Sequence, residues 1–397
     1  MKLTFDDDVE AFRQEFLAWL ADSAPTDDEM AADPALSSGH LPDWASRWTR
    51  RMFDAGWLVP GWPPEWGGRN AGPVETLVYL EELTKAHIPR TTNPQGLGIV
   101  VPSILDYGND EQIRDYALPV LRGERAACLG MSEPGAGSDL AALSTRAVLD
   151  GDSFVINGQK VWTSGANYAD FCFLFCRTDP DAPKHKGISV VLADMDTPGI
   201  TVRPLPEIVD PQHPDLNEVF FTDVVVPATN LVGELNNGWT MAGGSLAHER
   251  SMVWLGSVLG LDEMARRLLD EAPPLLAKLA PQERGIAADL IVQSYVDSVA
   301  ARCLGYRGFA KFVRGGTAPE QALMKVFTSE SAQQMSLAAS ELLGPESLVF
   351  DDSFSYTDRR GSWLQIYFHT FGGTISAGSS EIQRNIIAEK VLGLPRG

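Results

Sequence analysis

Three groups of residues have the types and spacing that chemistry needs. The first is the loop Met131-Ser132-Glu133-Pro134-Gly135-Ala136-Gly137-Ser138-Asp139-Leu140. Its proline and two glycines carry little side-chain bulk, so backbone N–H groups and the hydroxyls of Ser132 and Ser138 can approach a planar polar ligand closely. The second is Asn157-Gly158-Gln159-Lys160-Val161-Trp162-Thr163-Ser164. It reads as a hairpin turn at Asn157-Gly158 whose return strand ends on Trp162, a flat apolar face beside the hydroxyl of Ser164. The third is Glu249, within Ala247-His248-Glu249-Arg250-Ser251. On a helix, Ser245, Leu246, Met252 and Val253 stand three and four residues from it, with Ala242 and Gly256 one turn further out, so the acid shares a small-residue, mainly apolar stripe. Desolvation there raises a carboxylate's pKa toward what a base acting near neutrality needs. An ion pair with Arg250 or with a cation on another helix is the competing reading. His248 points roughly 100° away around the helix, and no nucleophile motif accompanies it.

The elements that position these groups follow from periodicity. Val9, Phe12, Phe16, Trp19 and Leu20 recur at helical spacing after an Asp-rich start, Val74 to Leu83 repeats the pattern, and further helical runs reach about Leu121. Between them, Gly61-Trp62-Pro63-Pro64-Glu65-Trp66-Gly67-Gly68 is expected to be a structured loop, since its prolines and glycines disfavour helix while its tryptophans favour burial. Strand-like segments then crowd together: Ser144 to Leu149, an Asp150-Gly151 turn, Ser153 to Ile156, Gln159 to Trp162, Phe171 to Cys176, Gly187 to Ala193, Ile200 to Leu205 and Glu218 to Val226. From Gly238 helix periodicity returns and persists almost to the C-terminus, with a loop expected at Ala272-Pro273-Pro274. The expected fold is therefore α+β: an N-terminal helical domain (1–123), a middle antiparallel β domain (124–232) and a C-terminal helical bundle (233–397).

Composition narrows the function. A formal charge of −21, from 53 acidic against 32 basic residues, argues against non-specific binding to nucleic acid or an anionic membrane surface. No apolar run approaches a membrane span, and the acidic start Asp6-Asp7-Asp8 follows no basic leader, so no export signal and a cytoplasmic location are expected. Four scattered cysteines are too few for a disulfide framework, which points to a reducing compartment. Cys172 and Cys176 alternate onto one strand face with no second pair or histidine to complete a metal set, so buried strand cysteines are expected rather than a metal site.

Across these motifs the sequence resembles the acyl-CoA dehydrogenase family, flavoenzymes that oxidise the Cα–Cβ bond of acyl-CoA thioesters. The resemblance continues through Lys186-Gly187-Ile188-Ser189, through Asn217-Glu218-Val219-Phe220-Phe221 with Val225-Val226-Pro227, and through Ser379-Ser380-Glu381-Ile382-Gln383-Arg384-Asn385. It is weakest from Asp270 to Ala300, where the family's usual Arg-x-x-Phe-Gly segment is not visible. The resemblance implies FAD, with Leu129, Met131, Ser132 and Ser138 lining the flavin and acyl entrance and Trp162 and Ser164 against the ring. Ser379 and Glu381 match positions that reach a neighbouring subunit's FAD, and Ser138, Arg250, Ala377 and Gly378 match the substrate side. Without the resemblance, a Gly-rich turn and a strand-terminal Trp are equally at home in an ordinary core.

The family's reaction needs a base for the α proton, an acceptor for the β hydride and donors to the thioester oxygen. Many relatives carry the base in a Tyr-Glu-Gly-Thr-like segment, where this chain reads Ser376-Ala377-Gly378-Ser379. Ala377 cannot take a proton, though its backbone N–H can still serve the thioester oxygen. Other relatives place the base at the position of Glu249. The resemblance further implies an acyl-CoA substrate, electron-transfer flavoprotein as acceptor, and a homotetramer or a heterotetramer with a second acyl-CoA dehydrogenase chain. Two alternatives share the fold: a flavin-dependent monooxygenase or oxidase, and a partner subunit of a heteromeric enzyme.

Overall fold

The computed structural model describes residues 6–314, 320–350 and 361–395, and within these the side chains at 244–255, 312–313 and 320–321 lie outside the described set. The chain divides into two compact units, one running Met1–Glu249 and the other beginning at Arg250.

In the first unit, the helix Asp7–Ser23 opens with Asp7, Asp8 and Glu10 at the positive end of its dipole and buries Phe16 and Leu20. Trp57 and Tyr79 each close on Phe16 with ring centroids 4.8 Å apart. Tyr79 comes from the helix Pro73–Lys85, whose proline at the first turn costs no hydrogen bond. The expected loop is structured: a 3₁₀ turn at Pro64–Trp66 brings Trp62 and Trp66 against this core. Gly68 lies so near the Trp62 carbonyl that a Cβ would sit 2.0 Å from its oxygen, so no larger residue fits. Helical turns, two of them π-helical, continue to Leu121.

The β domain is an eight-stranded sheet: β1 (Ala127–Gly130), β2 (Arg146–Asp150), β3 (Ser153–Lys160), β4 (Phe171–Arg177), β5 (Ile188–Asp194), β6 (Ile200–Pro204), β7 (Asn217–Pro227) and β8 (Leu231–Val232). The strand order is β6-β7-β3-β2-β4-β5-β8, with β1 beside β4. Pairing is antiparallel except where β1 runs parallel to β4 and where Arg146 meets Arg177. β4 is buried on both faces, with Phe171, Phe173 and Phe175 in one apolar cluster and Cys172, Leu174 and Cys176 in another. The Asp150-Gly151 turn is present, with Asp150 facing Ser153 and Gly151 at φ +63°.

Asn157-Gly158 corrects the sequence reading. It does not close a hairpin; it lies inside the continuous strand β3, which pairs with β7 on both sides of the dipeptide and shifts register between Ile156 and Gly158. The Asn157 amide donates to Asp223 Oδ1 (3.0 Å), and its oxygen accepts the Asp223 N–H (2.9 Å). A Cβ on Gly158 would stand 2.6 Å from Thr145 Cα. The glycine serves a bulge and a close approach of neighbouring backbone rather than a chain reversal. β1 and β8, which carry little alternation, were not anticipated as strands.

In the second unit, the helix Pro281–Val313 and the helix Trp363–Ile375 both pack on Glu320–Leu343. The helix Gly238–Leu276 begins in the first unit and ends in the second, and it continues through Pro273 and Pro274, where a loop was expected. The two prolines occupy its last turn, where each lacks the N–H that would bond back to the preceding turn, and that preceding turn is anchored. Trp363 Nε1 donates to Glu271 Oε2 (2.7 Å), Arg267 stacks over Trp363 at 4.5 Å, and Ala272 is buried.

Candidate active site

β1 ends at Gly130 and delivers Met131 and Ser132 to the edge of the sheet. Glu133 and Ala136 then exchange backbone hydrogen bonds, both 3.0 Å, closing a tight turn over Pro134-Gly135. Leu129, Met131 and Ser132 are half-buried, whereas Pro134, Gly135, Gly137, Ser138 and Asp139 are exposed. No heavy atom stands within 4 Å of where a Cβ would sit on Gly135 or Gly137, so the rim of this loop is open.

The end of β3 meets the same edge. The Val161 N–H donates to the Ser132 carbonyl (2.9 Å), joining the two sequence motifs through their main chains. Trp162 follows in the left-handed region at φ +60°, with 61% of its surface exposed. A bulky residue there is a backbone outlier that the surroundings must enforce. The Thr163 N–H donates to the Asn217 carbonyl (3.0 Å), the Asn217 amide returns to the Thr163 carbonyl (3.1 Å), and Ser164 follows half-buried. Thus Met131 and Ser132 are joined to the residues just before Trp162, with Leu129 preceding them in β1, Ser138 on the exposed far side of the turn, and Ser164 two residues beyond Trp162.

Behind this edge stands a pair that the sequence reading missed. Lys160, fully buried, places Nζ 2.9 Å from Glu133 Oε1 and 3.0 Å from the Met131 carbonyl. The same Glu133 oxygen accepts the Thr145 N–H (2.8 Å), and its other oxygen accepts the Ser144 N–H (2.7 Å) and hydroxyl (2.8 Å). Burial alone raises the Glu133 pKa, but Lys160 and Thr145 outweigh it and hold the carboxyl down to about 2. Burial also pushes the Lys160 ammonium down, against the pull of Glu133. The four hydrogen-bonded contacts on Glu133 assign the charged pair at neutral pH. The signal lay in the sequence: Lys160 falls on the same alternating face as Phe154 and Ile156, and a lysine on an apolar face calls for a carboxylate. Burial pushes the neighbouring Cys176 thiol up to about 12, so it is inert.

The other predicted residues lie in the C-terminal half. Glu249 and Arg250 fall within the helix Gly238–Leu276, but both side chains lie outside the described residues. Of the stripe flanking Glu249, Ala242 is buried and Gly256 exposed. In the second unit, Ala377 (φ +55°) and Gly378 (φ +89°) are consecutive left-handed residues, and the Gln383 amide donates to the Ala377 carbonyl (2.9 Å). The Ser379 hydroxyl accepts the Ile382 N–H (3.3 Å), capping the helix Ser380–Ile386. Glu381 is exposed, and its own backbone N–H, with the Ser379 hydroxyl, lowers its pKa. Beside it a cleft of about 320 Å³ is lined by Glu330, Gln333, Gln334, Thr374, Ile375, Ser380 and Glu381.

Comparison with known proteins decides the family. Profiles of the acyl-CoA dehydrogenase N-terminal, middle and C-terminal domains match residues 6–124, 128–224 and 236–392. The acyl-CoA dehydrogenase IpdE1 of Mycobacterium tuberculosis is 34% identical over 398 residues, covering 98% of each chain. The chain belongs to the acyl-CoA dehydrogenase family. It is therefore an enzyme of that class, an oxidoreductase in a family of flavoproteins. The C-terminal profile runs through the stretch from Asp270 to Ala300, where the resemblance of motifs is weakest. Among solved structures, the Tcur3481-Tcur3483 steroid ACAD, an acyl-CoA dehydrogenase, superposes with a TM-score of 0.80 at 28% identity over 100% of both chains. The ChsE4-ChsE5 complex from Mycobacterium tuberculosis superposes with a TM-score of 0.80 at 29% identity, again over 100% of both. The three-domain α+β fold agrees with this family. Among the described residues no helix is long and apolar enough to cross a membrane.

Proposed function

We propose that this enzyme desaturates an acyl-CoA thioester between Cα and Cβ, using FAD held at the joined edge of the Met131–Ser138 loop and the Trp162–Ser164 turn. The observation that carries the reading is the bond from Val161 to Ser132, which sets an exposed, left-handed Trp162 beside an open glycine-rich rim. A flat aromatic face next to polar half-buried edges fits a planar heteroaromatic ring system. Leu129, Met131, Ser132, Ser138, Trp162 and Ser164 hold it, and Ser379 and Glu381 serve the FAD of a neighbouring subunit. The bound FAD supplies the acceptor for the β hydride. Glu249 removes the α proton. In this proposal the Ala377 N–H serves the thioester oxygen, while Gly378, Arg250 and Ser138 attend the substrate.

The acyl group in this proposal is bulky, of the branched, ring or sterol-fragment kind, supported by the base position on the helix and by full-length similarity to a steroid ACAD. Electron-transfer flavoprotein is the proposed acceptor and the cytoplasm the proposed compartment, with domain boundaries after residues 123 and 232. Anaerobic titration with such an acyl-CoA should bleach the flavin absorption. Bleaching only by amines, nitroalkanes or aromatic substrates, with the colour returning on admission of oxygen as the substrate is oxygenated or oxidised, would replace this reading with oxygen chemistry on the same fold.

Two further outcomes are expected. Trp162→Ala should lower flavin occupancy and shift the flavin absorption while far-ultraviolet circular dichroism stays unchanged; full occupancy with an unchanged spectrum removes Trp162 from the site. The Tcur3481-Tcur3483 steroid ACAD and the ChsE4-ChsE5 complex each carry two chain names, which supports an assembly that includes a second kind of chain beside the homotetramer reading. Sedimentation of the purified chain should accordingly give a tetramer, or a dimer that takes up a second chain. A stable monomer carrying stoichiometric FAD contradicts the shared site.

A further inference from the structure

At the loop edge the left-handed Trp162 stands two residues after Lys160, whose ammonium is buried against Glu133. We infer that the Glu133–Lys160 pair is a positioning device that sets the Met131-Ser132 edge against the Trp162 turn before any ligand arrives. The inference rests on the flavin reading for its consequence, though not for its geometry.

The geometry is that of a lock between two chain segments. Lys160 and Val161 are consecutive, and both bind the opposite segment: Lys160 Nζ reaches the Met131 carbonyl (3.0 Å) and Glu133 (2.9 Å), while the Val161 N–H reaches the Ser132 carbonyl (2.9 Å). Three successive residues of the loop are thereby held by Lys160, the last residue of β3, and by Val161, which follows it. Glu133 then ties the loop to the start of β2 through Ser144 and Thr145. The residue that follows the lock is Trp162, whose φ of +60° is a conformation a bulky side chain avoids unless its flanks are fixed. The Gly130 before the loop is equally constrained, since a Cβ there would lie 2.8 Å from Cys172 Sγ and 3.6 Å from Lys160 Cγ.

A buried ion pair is a poor way to gain stability, because desolvation of both charges cancels much of their attraction, and a neutral pair of similar shape is often as stable. It is a good way to define one geometry. The Glu133 side chain is 4% exposed and that of Lys160 0%. Neither side chain therefore reaches the surface offered to a cofactor, and any effect of the pair on FAD must pass through the main chain it holds.

The test compares Lys160→Met, Glu133→Gln and the double variant Lys160→Met with Glu133→Gln in the full chain. The double variant should recover most of the melting temperature lost by Lys160→Met. Its FAD affinity, read by fluorescence titration of the flavin-stripped protein, should still be weaker by about tenfold or more, the scale on which outer partners tune bound metals, and its flavin absorption bands should broaden. Wild-type FAD affinity and band shape in the double variant would overturn the inference and leave the pair a structural feature only. Hydrogen exchange of the Val161 amide in wild-type protein decides the matter even if the variants fail to fold. Protection that is the same with and without FAD supports the lock, whereas free exchange in the stripped protein that slows only when FAD binds overturns it. If wild-type protein takes up no FAD at all, the cofactor reading falls instead, and the exchange of Val161 in the same sample still judges the lock.

Discussion

Glu249→Gln should slow flavin reduction by an acyl-CoA substrate by about a hundredfold or more, with FAD content and acyl-CoA affinity close to wild type. Glutamine keeps the size of the side chain and most of its hydrogen bonding but cannot accept a proton, so an effect confined to the reductive step isolates the base role. Single-turnover mixing under anaerobic conditions separates that step from binding. Within the C-terminal segment the position that carries the carboxylate in many relatives is Ala377, so no second acid there can take over. Moving the acid, by combining Glu249→Gly with Ala377→Glu, is a harder test, since Ala377 sits in the left-handed region next to Gly378 and a longer side chain must accept that backbone. A Glu249→Gln protein that reduces its flavin at the wild-type rate with a confirmed substrate places the base elsewhere.

The contrast between two glycine dipeptides shows what the sequence carries and what it withholds. Asp150-Gly151 and Asn157-Gly158 have the same turn chemistry, and only the first reverses the chain. The difference is set by β7, which runs along β3 past Asn157 and hydrogen-bonds it through Asp223, a partner 66 residues away. Pro273-Pro274 is the same lesson on a helix: local propensity ends it, while Trp363 gripping Glu271 carries it on. Alternation and helical period, by contrast, located the strands expected at Phe171 to Cys176 and Gly187 to Ala193, and the start of the long helix at Gly238, to within about a residue, because each of these patterns reports burial directly.

The candidate site divides similarly. Its loop and its Trp were legible as residue types, and the family motif supplied their partnership. The left-handed backbone at Trp162 and Ala377 was not legible, since neither is a glycine and nothing local favours φ above zero. Lys160 was legible in principle from its place on the apolar face of β3, but its carboxylate lies 27 residues back in a loop whose glycines drew attention to the ligand side. The buried side of a binding loop is read from the strand behind it.

That buried side gives the largest expected effect on stability. Lys160→Met leaves Glu133 with no cation in a site where its side chain is 4% exposed, and removing one partner of a buried pair costs about 3–5 kcal/mol. Thermal or urea unfolding followed by circular dichroism should show a loss of that order in the transition of the β domain. Adding Glu133→Gln removes the stranded charge and should restore most of it. Acid provides an independent check with a definite sign. The folded-state pKa of Glu133 is depressed from 4.5 to about 2, so its stabilisation is fully present above 4.5 and drains away as the pH falls toward 2. The groups facing it are Lys160, the Ser144 and Thr145 donors and the high-pKa thiol of Cys176, and none of these gains a proton in that interval. Wild type should therefore lose stability between pH 4.5 and 2 more steeply than the double variant, which has no carboxylate to protonate there. Equal slopes for the two proteins in that window would mean that Glu133 is not held ionised by Lys160, and the lock would lose its electrostatic half.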